Sequence, residues 1–186
     1  MSQFEYLAGL ISIVIAFGLS QMLIAWGRLL RARSRVATYW VHNVWSGLIV
    51  LFMILFWWEL WQYRALESWT FFTLVWTILN AMFIVLAAYI LMPSINDDDG
   101  HVDLRSFYYE TAPIFFSITA IGMISIAISD LVLDPGKVHW GETASRLAWL
   151  PFAIWVALSK NSKTHAVIAV IAILLYVAFI GSTNFR

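Results

Sequence analysis

Six long apolar runs constrain this chain more than any other feature of its sequence. A helix needs about 20 predominantly apolar residues to cross the hydrocarbon core of a bilayer. The runs cover residues 4–26, 36–61, 70–92, 111–133, 142–158 and 166–182 of 186. The connections between them are short, which favours antiparallel packing of neighbouring helices. The sequence therefore predicts an all-α polytopic membrane protein, a six-transmembrane-helix bundle that forms a single transmembrane domain over residues 1–186.

The composition supports this class of protein and excludes several others. Hydrophobic residues make up 62% of the chain and charged residues only 12%, whereas soluble domains contain about 25% charged residues. Eleven Lys and Arg balance eleven Asp and Glu, so the basic surface of a nucleic-acid-binding protein is not expected. The chain contains no cysteine, which excludes disulfides, thiolate metal sites and cysteine nucleophiles.

Lys and Arg in the short loops predict the orientation of the bundle. The first, third and fifth connections contain seven of these residues, and the opposite side contains four. Because cytoplasmic loops are enriched in Lys and Arg, the pattern indicates a cytoplasmic first loop and periplasmic termini. The first loop carries a cluster that is expected to contact anionic lipid, formed by Arg28, Arg31, Arg33 and Arg35.

The third span carries a polar stripe. Its residues recur at helical spacing on one narrow face, and they are Thr70, Thr73, Thr77 and Asn80. An amide that faced lipid would lack hydrogen-bond partners, so this face should point into the bundle. The stripe, together with Ser125 and Ser129 on the fourth span, provides either interhelix contacts or one wall of a polar path.

Ionisable residues inside the spans are further candidates, because a buried charge is costly in hydrocarbon and is often functional. Glu59, Asp130 and Arg146 lie toward the predicted outer side. Arg146 is expected to pair with Asp130 or Glu59, or each side chain reaches the interface by snorkelling. His42 and His165 lie at matching depth near the inner side, where a histidine hydrogen-bonds across helices, carries a proton or, as a pair, ligates haem iron.

No motif in the chain assembles a catalytic site. The sequence lacks the H-E-x-x-H and G-x-S-x-G patterns and a phosphate-binding glycine loop, so neither an enzymatic activity nor a cofactor or metal ion is predicted. The sequence favours a non-enzymatic assembly or interaction component that forms a homo-oligomer. A small channel or transporter with a polar path along the third helix is the first alternative, and a haem- or pigment-binding protein is the second. Prolines near the ends of spans favour the assembly component, because transporters usually have broken helices at mid-membrane.

The first third of the chain carries a pattern of aromatic, charged and glycine residues. It consists of Phe4-Glu5-Tyr6, Gly27-Arg28-Leu29-Leu30, Tyr39-Trp40-Val41-His42 and Phe56-Trp57-Trp58. This pattern resembles a widespread set of small multi-pass proteins of the bacterial inner membrane that have no known activity. The resemblance implies a bacterial inner-membrane location, and it implies no catalytic residue.

Overall fold

The computed structural model describes residues 2–66, 69–95, 100–133, 138 and 140–182, with the side chains at 130, 142, 145 and 180–182 outside that description. It confirms an all-α bundle. The helices are α1 (Gln3–Arg31), α2 (Trp40–Glu59), α3 (Phe71–Leu91), α4 (Leu104–Ala127), α5 (Ser129–Leu133), α6 (Trp140–Leu147), α7 (Leu150–Leu158) and α8 (Ser162–Ser182). Within the described ranges, five helical segments are long and apolar enough to cross a membrane: α1, α2 with the 3-10 turn after it, α3, α4 and α8.

Helices α1 and α3 begin at reciprocal side-chain caps. The Ser2 hydroxyl accepts a hydrogen bond from the Glu5 backbone N–H at 3.1 Å, and the Glu5 carboxylate accepts one from the Ser2 N–H at 2.7 Å. Thr70 and Thr73 cap α3 in the same way, at 3.1 and 3.0 Å. These bonds satisfy backbone donors that have no partner inside a helix. They also explain why α3 begins beside Thr70, close to the start of the predicted span.

Helix α3 lies at the centre of the bundle, where it packs against α1, α2 and α4, and α4 in turn packs against α6 and α7. The fully buried apolar side chains include Leu7 and Ile11 on α1, Met53 on α2 and Phe115 and Phe116 on α4. The outer surfaces of the long helices are also apolar. Because both faces of these helices are hydrophobic, the bundle suits a lipid environment.

A pair of two-residue strands joins two loops at one end of the bundle. Strand β1 (Val36–Ala37) in the α1–α2 connection pairs in parallel with β2 (Val102–Asp103) in the α3–α4 connection. We call this end the arginine end, because Arg28–Arg35 lie there. Helices α1 and α3 finish at the arginine end, α2 and α4 begin there, and the other end of the bundle is the opposite end.

The predicted span over residues 142–158 stays a prediction, because the structure divides this segment into two short helices, α6 and α7, and neither is long enough to cross a membrane alone. Pro151 lies in the first turn of α7. A proline has no N–H, and its ring clashes with the carbonyl four residues earlier, which here belongs to Leu147, the last residue of α6. The Trp149 N–H instead bonds to the Arg146 carbonyl in a tighter turn. The break therefore falls inside the predicted span and not near its end.

Candidate functional site

An amide–hydroxyl cluster, formed by Asn80, Ser125 and Ser129, joins α3 to α4 and α5. The Asn80 amide donates to the Ser129 hydroxyl at 3.0 Å, and the Ser125 hydroxyl donates to the Asn80 carbonyl oxygen. Ser129 also accepts from the Trp76 indole N–H and donates to the Ser125 backbone carbonyl. Asn80 is only 1% exposed. The amide thus has both an acceptor and a donor within the bundle, about 15 Å along α3 from Thr70 at 1.5 Å per residue.

The three threonines of the predicted stripe bond to their own helix. Thr70 and Thr73 form the cap of α3, and the Thr73 hydroxyl also donates to the Thr70 carbonyl at 2.9 Å. The Thr77 hydroxyl donates to the Thr73 carbonyl, one turn back, at 2.8 Å. Thr77 is buried, whereas Thr70 is exposed at the helix end. Among the described contacts of the stripe, only those of Asn80 are hydrogen bonds to another helix.

At the opposite end, Arg146 on α6 pairs with Glu59, the last residue of α2, with 3.4 Å between nitrogen and oxygen. Their side chains are 15% and 23% exposed, respectively. Glu59 was one of the two partners that the sequence allowed for Arg146. The other, Asp130, lies on α5, and its side chain is outside the described part of the chain. The ion pair connects the end of α2 to the helix before the break.

His42 forms a hydrogen bond with the C-terminal end of α3. Its Nε2 lies 2.8 Å from the backbone carbonyl oxygen of Leu91, the last residue of α3. Because a carbonyl can only accept, Nε2 carries the proton and donates. The last carbonyls of a helix have no partner within the helix, and the His42 side chain is completely buried. His42 therefore caps α3 from α2 across the helix interface.

His165 forms a similar hydrogen bond with the C-terminal end of α7, and it also bonds to α4. Its Nε2 donates to the carbonyl of Ser159, the residue that directly follows α7, at 2.8 Å. Its Nδ1 must then accept, and it accepts from the buried Tyr108 hydroxyl at 2.8 Å. His165 is 0% exposed. One imidazole on α8 thereby ties together α4, α7 and the start of α8.

Around this bond lies a tyrosine–histidine cluster, formed by Tyr39, Tyr108, Tyr109 and His165. The ring centroids of Tyr109 and His165 are 4.9 Å apart, and those of Tyr39 and Tyr108 are 5.6 Å apart. The Tyr39 and Tyr109 hydroxyls are hydrogen-bonded at 3.1 Å. Burial raises the pKa of Tyr39 above its usual value, and the bond to Tyr109 adds to the effect. The Tyr39–Tyr109 bond therefore links the residue before α2 to α4 beside His165.

The sequence indicated His165 but not its tyrosine partners. Tyr108 and Tyr109 were typical of residues that anchor a helix at the membrane boundary. Their approach to Tyr39 depends on the pairing of β1 with β2, which brings the start of α2 beside the start of α4. Two adjacent residues lie about 100° apart around a helix, so the sequence alone did not indicate whether either tyrosine ring faces the bundle.

The histidines are poorly arranged for the haem or metal hypothesis. Each has its Nε2 proton engaged with a carbonyl at a helix end. Within the described ranges, no group of three or more His, Cys, Asp or Glu side chains is arranged to hold a metal ion. Ligation through Nδ1 would leave these carbonyl bonds in place, but the Nδ1 atom of His165 already accepts from the Tyr108 hydroxyl. In their present positions His42 and His165 contribute hydrogen bonds between helices.

The long apolar helices and the buried interhelix bonds define the chain as a polytopic integral membrane protein. Comparison with protein-family models, with curated proteins and with solved structures finds no match for the chain.

Proposed function

We propose that this protein is a non-enzymatic assembly or interaction component of the bacterial inner membrane that works as a homo-oligomer. The observation that supports this function is that the polar side chains of the spans form hydrogen bonds and an ion pair with other helices of the same chain. Asn80 bonds to two serines, both histidines bond to helix-end carbonyls, and Arg146 pairs with Glu59. These groups hold the helices to one another, and the apolar outer surface remains for lipid and for partner subunits.

Cysteine accessibility tests this proposal at Asn80. The native chain has no cysteine, so single-cysteine variants require no background removal. We expect Asn80→Cys to remain unlabelled by a membrane-impermeant maleimide, because a thiol in apolar packing stays protonated and unreactive. Thr70→Cys, at the exposed start of α3, should label readily. The measurement is the mass shift of the purified protein after reaction in sealed membranes.

The matched control is Ala81→Cys, which lies beside Asn80 on α3 and is 0% exposed. Equal protection of Asn80→Cys and Ala81→Cys supports a packed interface. If Asn80→Cys were labelled while the Ala81→Cys variant was not, the assembly proposal would be overturned and a hydrated path along α3 would be favoured.

A second function, a small channel or transporter, is favoured by the break between α6 and α7. Broken helices often form substrate or ion sites in transporters. On α6, about one turn before the break, the Thr143 hydroxyl is buried and has no hydrogen-bond partner within the described part of the chain. A site for a small polar substrate would use this group. Reaction of Thr143→Cys with the same maleimide would support this second function.

We propose further that α6 and α7 together cross the membrane as the fifth of six spans, in addition to the five long helical segments. Arg146 of α6 pairs with Glu59 at the opposite end, whereas Ser159, which follows α7, bonds to His165 beside Tyr108 at the arginine end. Reporters of location fused after Arg35 and after Arg186 should therefore lie on opposite sides of the membrane, in the cytoplasm and the periplasm respectively. Paired alkaline phosphatase and green fluorescent protein fusions measure this. The same side for both fusions would mean an odd number of crossings.

A further inference from the structure

We propose that the groove between α1 and α3 binds one anionic phospholipid, with the phosphate on Arg28 and an acyl chain along the groove. The groove has a volume of about 610 Å³, which is within the about 300–1,000 Å³ that small-molecule sites occupy. Its walls are residues of α1 from Ile13 to Arg28 and residues from Met82 to Ser94 on α3 and just beyond it. This inference concerns the outer surface of the bundle and does not rest on the assembly function.

The length of the groove corresponds to one leaflet. The stretch of α1 from Ile13 to Ile24 rises about 16 Å at 1.5 Å per residue, and half of a hydrocarbon core is about 15 Å. Arg28 follows one turn after Ile24, at the arginine end. An acyl chain along the apolar stretch therefore places its headgroup beside Arg28.

Small side chains give the groove its depth. Ala25 and Ala88 line it, and a methyl group at these positions leaves room between the two helices, whereas Gly18 marks the place where α1 and α3 are in close contact. Met22 and Met82 lie along the same walls. Methionine side chains are flexible and fill irregular gaps, so the walls can adapt to an alkyl chain.

The charge at the arginine end selects an anionic headgroup. Within the described part of the chain, the Arg28 guanidinium forms no ion pair and no side-chain hydrogen bond. A guanidinium can donate two parallel hydrogen bonds to phosphate oxygens. The hydroxyl-bearing Ser94 lines the same end of the groove, and the exposed Arg31 and Arg33 increase the positive potential nearby.

Native mass spectrometry with added lipid tests this site on the full chain. The probes are phosphatidylglycerol, zwitterionic phosphatidylcholine with the same acyl chains, and soluble glycerol phosphate. We expect retention of one phosphatidylglycerol in preference to phosphatidylcholine, and no retention of glycerol phosphate. Arg28→Gln should weaken phosphatidylglycerol binding about fivefold, the equivalent of ~1 kcal/mol that one cationic side chain contributes near an anionic surface.

Two control variants distinguish lipid binding in the groove from nonspecific attraction of anionic lipid to the arginine end. Arg31→Gln removes the same charge from the last turn of α1 but lies outside the groove lining, so it should change binding less than Arg28→Gln. Ala25→Phe, which fills the groove, should reduce the binding of both lipids, whereas Leu23→Phe on an exposed position of α1 should not.

Three results would overturn the proposal. The first is equal weakening by Arg28→Gln and Arg31→Gln, which would indicate attraction by the loop as a whole. The second is equal retention of the two lipids by the native chain. The third is that Ala25→Phe changes the mass of the oligomer and leaves lipid binding unchanged. This result would show that the groove is a contact between copies of this chain.

Discussion

His165→Leu is expected to lower the free energy of unfolding by about 2–4 kcal/mol, since each buried polar group left without its partner costs ~1–3 kcal/mol. The substitution leaves both the Tyr108 hydroxyl and the Ser159 carbonyl without the imidazole that they contact at 2.8 Å. Leucine fills much of the same space, so the loss should come mainly from the hydrogen bonds. Unfolding of the purified protein in mixed micelles, followed by helical circular dichroism, measures the change.

Tyr108→Phe and Tyr109→Phe are the matched comparisons for His165→Leu. Tyr108→Phe removes one hydrogen bond to a fully buried histidine, whereas Tyr109→Phe removes a 3.1 Å bond to Tyr39 in a partly buried position. We expect a larger loss for Tyr108→Phe, and a double variant of Tyr108→Phe with His165→Leu that costs less than the sum of the singles. Strict additivity would contradict a direct bond between the two side chains.

Gly18→Val is the second variant with a large expected effect, a loss of about 3 kcal/mol in the free energy of unfolding, at the upper end of the ~1–3 kcal/mol typical of overpacking. A Cβ atom added at Gly18 would lie 2.7 Å from Val85 Cγ2 on α3 and 3.2 Å from Met53 Cε on α2. Met53 is flexible, but Val85 is β-branched and has a restricted χ1 angle in a helix. The valine should therefore push α1 away from α3, and the same mixed-micelle unfolding experiment measures the loss.

Gly9→Val on the same helix is the control, because a Cβ atom at Gly9 meets nothing within 4 Å. It changes helix propensity by the same amount as Gly18→Val, so the difference between the two variants isolates the packing. Gly18→Ala should fall between them. Equal stability of the two valine variants would show that α1 and α3 do not approach as closely as the structure indicates.

The two histidines illustrate why polar residues in membrane spans need a structure before they are given a function. Each is buried, and each could be regarded as a proton carrier or a ligand on residue type alone. In the structure, His42 donates to the end of α3 and His165 to the end of α7. A helix end has carbonyls without internal partners, and in a membrane such groups must be satisfied by the protein itself. Capping from a neighbouring helix meets that requirement.

The sequence by itself determined the class of protein and the positions of most spans. This was possible because the width of the hydrocarbon core sets a minimum length of apolar chain, independently of how the helices pack. The predicted span 70–92 compares with Phe71–Leu91 in the structure. The break within the fifth predicted span could not be predicted from Pro151 alone. Whether a proline breaks a helix depends on whether neighbouring groups satisfy the freed carbonyl.

Only the tertiary structure decided which groups meet. Every residue offers the same backbone carbonyl, so the sequence could not indicate that Leu91 and Ser159 accept from the histidines. Charge alone left two partners for Arg146, and the three-dimensional path of α6 brought it to Glu59. The groove between α1 and α3 likewise depends on small residues more than 60 positions apart in the chain, Ala25 and Ala88. The periodicity of a sequence describes the faces of a single helix. The contacts, caps and grooves described above form between two helices, so they depend on how the helices pack.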